Sequence, residues 1–255
     1  MTTPLVVVNA VEAAIAVKNG HPVYEWTGVI QYAPTNWNVP SGAVTPPLPG
    51  LSRIIFEDAF TTLDPNKWSL NWFGDGGVMN NVGTYKANVS VGPNGLALGL
   101  SAPGHGSLIS TVKSAGAGSD FTFTYGYVEF EATFPNNNDW CSGWMSDLKL
   151  PGAGEFDIAE QMGAQISSNY HYAGPTADND PSPLGGLLGV SHVFGLHWTP
   201  GSAVFYVDGQ VHRTITGPEI VATPQYLIFN HGASSPSDSS GVGSEFVVKY
   251  VRVWQ

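Results

Sequence analysis

From Leu51 onward, short β-prone runs separated by turn dipeptides recur at intervals of about a dozen residues, and no other feature constrains the fold as much. Asn94-Gly95 separates Val89-Ser90-Val91 from Leu96-Ala97-Leu98, and Asp208-Gly209 separates Phe205-Tyr206-Val207 from Gln210-Val211-His212. Such dipeptides accept the positive φ angles of tight hairpin turns, so both read as hairpins. Tyr127 to Phe134 alternates, with Val128, Phe130, Ala132 and Phe134 toward one face and Tyr127, Glu129, Glu131 and Thr133 toward the other. Phe246 to Trp254 closes the chain as another strand. No repeat period and no long amphipathic helix is visible. With 31 glycines, 19 prolines and 12% aromatics against 11% charged residues, the expectation is an all-β sandwich or jelly roll of two antiparallel sheets.

A chain of 255 residues can bury one full core, or one core plus a short appendage. Residues 1–50 differ from the rest. Thr3 to Val8 suits a short strand, and Ala10 to Lys18 a brief helix or a second strand, ended at Asn19-Gly20. The prolines of Val39 to Gly50 favour an extended linker. We therefore expect an arm and linker over 1–50, with no assignable role, and the main domain over 51–255. Leu5 to Val17 is apolar, but it contains Glu12 and has no basic residue before it, so it lacks the pattern of a secretory signal. No run reaches the length of a membrane span.

The net charge of −11 argues against a nucleic acid partner, which needs a basic face, and favours a neutral substrate over a strongly anionic one. A single cysteine, Cys141, excludes an intramolecular disulfide and reads as a buried thiol rather than a nucleophile.

Against this sparse charge, Glu155-Phe156-Asp157-Ile158-Ala159-Glu160 crowds three carboxylates into an apolar strand. In a regular strand Glu155 and Asp157 share one face, while Glu160 points with Phe156 and Ile158 into the core. A buried unpaired acid is costly, so the spacing predicts a β-bulge near Ile158-Ala159 that returns Glu160 to the face of the other two. Four effective steps then separate the outer Cα atoms by about 13 Å. Two glutamates leaning inward across a concave sheet can bring their carboxyls to the roughly 5–5.5 Å of a retaining glycosidase. Asp157 between them can hydrogen-bond one and raise the pKa of the other. Three carboxylates also suit a structural calcium site. Trp140 and Trp144, on the preceding strand, can serve as platforms for sugar rings or as core. Trp72, in a Gly-rich loop, can rim a cleft or pack inward.

The acidic run resembles the E-x-D-x-x-E signature of glycoside hydrolase family 16, in the bulged form of laminarinases, agarases and related endo-glycanases. Flanking segments agree in order over residues 51–255. Phe56-Glu57-Asp58-Ala59-Phe60 with Leu63 to Trp68 is similar to the opening strand, and Phe123 to Glu129 to the "YGxxE" strand. His197-Trp198-Thr199-Pro200 with Tyr206-Val207-Asp208-Gly209 is similar to the "W-T-P…YVDG" hairpin, and Tyr250 to Val253 to the last strand. The resemblance implies a concave, concanavalin-like jelly roll and a retaining double displacement. Glu155 would be the nucleophile, Glu160 the general acid/base and Asp157 the assisting acid. Trp140 and Trp144 would flank the cleavage point, and His171 would lie near the acid/base. Asn230, in Phe229-Asn230-His231-Gly232, would line the cleft.

Two departures bear on function. Asp139 to Met145 replaces the family's "G-x-W-P-A-x-W" run, which alters contacts near the cleavage point. Lys249 stands where many relatives have a calcium-binding aspartate, so no calcium is expected there, and no cofactor or other metal. The seven histidines form no H-E-x-x-H pair, and there is no G-x-S-x-G elbow or P-loop. The leading expectation is an endo-hydrolase of a neutral β-1,3- or β-1,3-1,4-glucan, acting outside the cell or at a cell or virion surface. The alternatives are an agarase or other galactan hydrolase, a transglycosylase, and a non-catalytic glycan-binding or virion attachment protein on the same fold. A binding module would be expected to lose one of the acids.

Overall fold

The computed structural model describes residues 14–18, 21–25, 47–70, 75–112, 121–147, 154–172 and 182–255. The chain divides into two compact units, Met1–Asn38 and Val39–Gln255. In the first, β1 (Ala14–Lys18) and β2 (His21–Glu25) pair antiparallel, so of the two readings of Ala10 to Lys18 the strand is the one formed, over 14–18. Thr3 to Val8 and linker residues 39–46 lie outside the described residues.

The second unit begins its strands with β3 (Ile54–Asp58), β4 (Ser69–Leu70), β5 (Gly77–Met79) and β6 (Val82–Thr84). One 3-10 turn, Lys86–Asn88, precedes β7 (Val89–Gly92), β8 (Gly95–Gly99) and β9 (His105–Ser110). The long strands follow: β10 (Gly126–Thr133), β11 (Trp140–Asp147), β12 (Glu155–Met162) and β13 (Gln165–His171). The last are β14 (Ser182–Leu184), β15 (Ser191–Thr199), β16 (Ser202–Val207), β17 (Gln210–Thr216), β18 (Gln225–Gly232) and β19 (Glu245–Trp254). They form two sheets. One runs β17-β16-β15-β10-β19-β8-β7 with β3 also on β19; the other runs β14-β13-β12-β11-β18-β9-β6-β5 with β4 also on β9. Pairing is antiparallel except between β6 and β9.

The alternation in Tyr127 to Phe134 sets the inner layer. Val128, Phe130, Ala132 and Phe134 all enter the main core, where they meet Cys141, Met145, Phe156, Ile158, Leu227 and Phe229 of the opposite sheet. Each large apolar side chain buried this way contributes about 1.5–3 kcal/mol. Phe130 crosses Phe229 edge-on at 5.1 Å. It also fills the space beside Gly143, where a Cβ would lie 2.4 Å from the ring. The first half of the opposite face of β10 is buried too, at Tyr127 and Glu129. Tyr127 packs between Tyr206 and Trp254, and Glu129 accepts a hydrogen bond from the Tyr250 hydroxyl at 3.1 Å.

Both hairpins form. Asp208 (φ 49°) and Gly209 (φ 75°) make the two-residue turn between the paired Val207 and Gln210. The first turn is displaced by one residue: Gly92 pairs with Gly95, leaving Pro93-Asn94 as the turn. Gly95 opens β8 at φ 107°, and a Cβ there would meet the Val248 carbonyl at 2.4 Å.

Candidate active site

The side chains of the second sheet that face away from the core come from alternate positions of β11, β12, β13 and β18. On β12 the alternation breaks where the spacing predicts. Trp144 pairs with Asp157 and Gly143 with Ala159, which leaves Ile158 without a partner on β11. On the other side Asp157 pairs with Asn169 and Glu160 with Ser167, so Ile158 and Ala159 together oppose Ser168. This is a β-bulge, held by the Ser168 hydroxyl, which donates to the Ile158 carbonyl at 2.8 Å. Phe156, Ile158 and Ala159 all turn into the core. Glu155, Asp157 and Glu160 share the other face, opposite Ser146, Trp144 and Ser142 respectively.

Each acid meets a different environment. Glu160 is half-buried, and its Oε1 accepts a hydrogen bond from the Trp140 indole at 2.6 Å. Asp157 is buried, with Oδ2 2.9 Å from His171 Nε2. The same nitrogen lies 2.9 Å from Asn169 Nδ2. A protonated Nε2 donates to Asp157, whereas a bare one accepts from Asn169, so the ring nitrogen links the two side chains in either state. Glu155 is half-buried and pairs across the strands with His171.

Burial dominates the electrostatics. It raises the Glu155 pKa, against the pull of His171 and with a further rise from Glu160. It lifts Asp157 well above the ordinary aspartate range, with Glu160 adding to the rise and the His171 hydrogen bond opposing it. Glu160 is also raised by burial, partly offset by the Trp140 hydrogen bond. Three close carboxylates cannot all ionise cheaply, and Asp157, the most buried, is the costliest to ionise.

Of the sequence-selected residues, Glu155, Asp157, Glu160, Trp140 and His171 form one connected set. Trp144 and Asn230 lie beside it on the same face. Trp144 is buried against Leu108, Val112, Tyr226 and Ile228, and its indole donates to Asn230 Oδ1 at 2.7 Å. It therefore forms floor rather than an open platform. Asn230 is buried, and its Nδ2 has no partner among the described residues. Trp72 lies outside the described residues. Sequence reasoning missed Asn169, although it precedes His171 by two positions and so shares its strand face.

Among the described residues, two trios of side chains could hold a metal ion: Glu155, Asp157 and His171 in the site, and Asp139, Cys141 and His231 in the core, each with ligand atoms within 4.8 Å. In the second, His231 Nε2 and Asp139 Oδ2 already bond one another at 2.7 Å, and burial pushes the Cys141 thiol well up. On the other sheet, the Lys249 ammonium lies 3.0 Å from Glu131 Oε1. Among the described residues no helix is long and apolar enough to cross a membrane.

The family model for glycosyl hydrolases family 16 matches residues 75–240. No curated protein matches the sequence. Among solved structures, the chain is similar to a laminarinase from Flavobacterium sp. UMI-01, at 20% identity and a TM-score of 0.67 over 80% of this chain and 100% of that one. It is similar to an endo-β-1,3-glucanase from Pyrococcus furiosus, at 21% identity and a TM-score of 0.65 over 82% of this chain and 98% of that one. A Bacteroides ovatus mixed-linkage glucan GH16 in complex with a G4G4G3G product follows at 20% identity and a TM-score of 0.63, over 78% of this chain and 100% of that one. These likenesses establish the fold as that of the family's jelly-roll enzymes. With the family model spanning the acidic strand and most of both sheets, the chain belongs to glycosyl hydrolases family 16.

Proposed function

We propose that the chain is a retaining endo-glycosidase that cleaves internal β-linkages of a neutral polysaccharide, with a β-1,3- or β-1,3-1,4-glucan as the substrate. The observation that carries this reading is the bulge at Ile158-Ala159, which sets Glu160 on the same face as Glu155 and Asp157. A strand that adds a residue to keep a third acid out of the core has a use for that acid.

In the proposed reaction the Glu155 carboxylate attacks the anomeric carbon. The bond from that carbon to the glycosidic oxygen breaks as Glu160 gives the oxygen its proton. A water then gives its proton to Glu160 and attacks the same carbon, which releases the sugar and restores both groups. Asp157, held by His171, lies between the two and shifts its proton affinity as they exchange charge. Trp140 holds Glu160 by its indole N–H and presents its half-buried ring to the substrate. The spare N–H groups of Asn230 offer donors to a sugar hydroxyl. A polymeric substrate places this chemistry outside the cell or on a cell or virion surface, which assay of spent medium and particle fractions tests.

Sizing the products from laminarin, mixed-linkage glucan, agarose and other neutral galactans tests the function. The reading predicts early, mid-chain shortening of a β-glucan that is lost in Glu155→Gln. Shortening of a galactan alone moves the substrate to that class. Intact polymers throughout, with glycan binding unchanged in Glu155→Gln, contradict catalysis.

A further inference from the structure

Asp139 and His231 are fully buried beside Cys141, on the core side of the sheet. His231 Nδ1 lies 2.8 Å from the Leu98 carbonyl, which only accepts, so this nitrogen carries a proton. Nε2 lies 2.7 Å from Asp139 Oδ2, a contact that also needs a proton between its atoms. Ser244 Oγ donates to the same oxygen at 2.7 Å. The pair thus ties β18 and β8 to the residue immediately before Trp140.

The surroundings leave that residue little freedom. The Gly163 N–H donates to the Asp139 carbonyl at 3.1 Å. Gln161, next to Glu160, places Nε2 3.0 Å from the Pro135 carbonyl and 2.9 Å from that of Asn137. Gly241 faces the Asp139 carboxylate so closely that a Cβ would lie 1.7 Å from Oδ1. On the cleft side, the next residue is Trp140, bonded to Glu160 at 2.6 Å. A buried ionic pair is a costlier way to join strand ends than apolar packing of equal volume, and fixing a geometry is the best-attested use of one.

We propose that Asp139 and His231 are positioning residues for the acid/base carboxyl: the pair fixes the entry of β11, hence the Trp140 indole, hence the hydrogen bond received by Glu160. The proposal rests on the reading of Glu160 as the acid/base. The charged groups that act on Glu160 are Glu155 and Asp157 of its own strand and His171 of β13. The Asp139–His231 pair carries one shared proton and is neutral as a unit. An amide in place of the Asp139 carboxylate, beside a neutral imidazole, is neutral as well, so Asp139→Asn acts on Glu160 through geometry rather than field.

The test is kcat/KM against pH on a soluble β-glucan for the wild type, Asp139→Asn, Trp140→Phe and the double variant. Trp140→Phe removes an N–H that favours ionised Glu160, and so moves the alkaline limb to higher pH. Asp139→Asn moves it the same way, with kcat reduced on the order of tenfold and KM little changed. In the Trp140→Phe background Asp139→Asn moves the limb no further. An unmoved limb in Asp139→Asn, with only a lower Tm, makes the pair structural and overturns the proposal. An unmoved limb in Trp140→Phe instead overturns the assignment of Glu160. If Asp139→Asn does not fold, Ser244→Ala loosens the same carboxylate. The Trp140 indole N–H resonance, assigned by its loss in Trp140→Phe, then moves upfield if the proposal holds and stays in place if it does not.

Discussion

At the scale of single residues, the three acids differ by burial, and that difference makes their roles separable. In the proposed reaction Glu160→Ala removes the proton donor, and it is expected to lower polysaccharide turnover by about 10²–10⁴-fold. Activated aryl glycosides, which need no acid, remain substrates, and azide restores their turnover by taking the place of the activated water. Assays with and without azide check this, and Glu155→Ala shows no such recovery with a retained anomer. The stability effect of Asp157 follows from its raised pKa. A carboxyl raised above its unfolded value stabilises the fold fully below the unfolded pKa and loses that contribution as pH rises through the folded one. Asp157→Asn is therefore expected to raise Tm at neutral pH, by about 2–4 °C for each kcal/mol relieved, with the gain vanishing in acid. Thermal melts across pH check it. The acids were legible in the sequence because their spacing violates the period of a strand. Asp139 and His231 were not, because they lie 92 positions apart and only the β11–β18 pairing brings them together.

At the scale of the strand, the bulge is the functional element, and it yields paired predictions of opposite sign. Deleting Ala159 makes β12 regular while keeping Glu160 in phase with Asp157, so the variant folds and retains measurable hydrolysis. Deleting both Ile158 and Ala159 leaves Glu160 one step from Asp157, which turns it into the core and abolishes hydrolysis. Activity and melting of the two variants, side by side, decide the point. Opposite the bulge, Gly143→Ala forces a methyl against Phe130 and is expected to cost about 1–3 kcal/mol, read by denaturant unfolding. Sequence pattern located the bulge and both hairpins, since each rests on local chemistry. It missed the burial of Tyr127 and Glu129, because the outer face of β10 is covered by Tyr206, Tyr250 and Trp254 from distant parts of the chain.

At the scale of the whole molecule, one sheet carries the acids, Trp140 and His171 on β11, β12 and β13, and the other sheet packs against its core side. The second unit begins at Val39, Leu48 is buried, and Ser52 and Arg53 bond the Gln255 carbonyl. A chain starting at Val39 is expected to keep activity and melting point, whereas one starting at Ile54 melts lower. Family and fold were legible because strand order and the acidic signature are both written locally. The choice of sugar was not, since it depends on how segments far apart in sequence shape the cleft around Trp140. The measurement that bears most directly on the account is the anomeric configuration of the first product, followed by proton NMR during cleavage of a soluble β-glucan. Double displacement through Glu155 predicts the β-anomer first, with the α-anomer growing in only by mutarotation. An α-anomer formed first would contradict it.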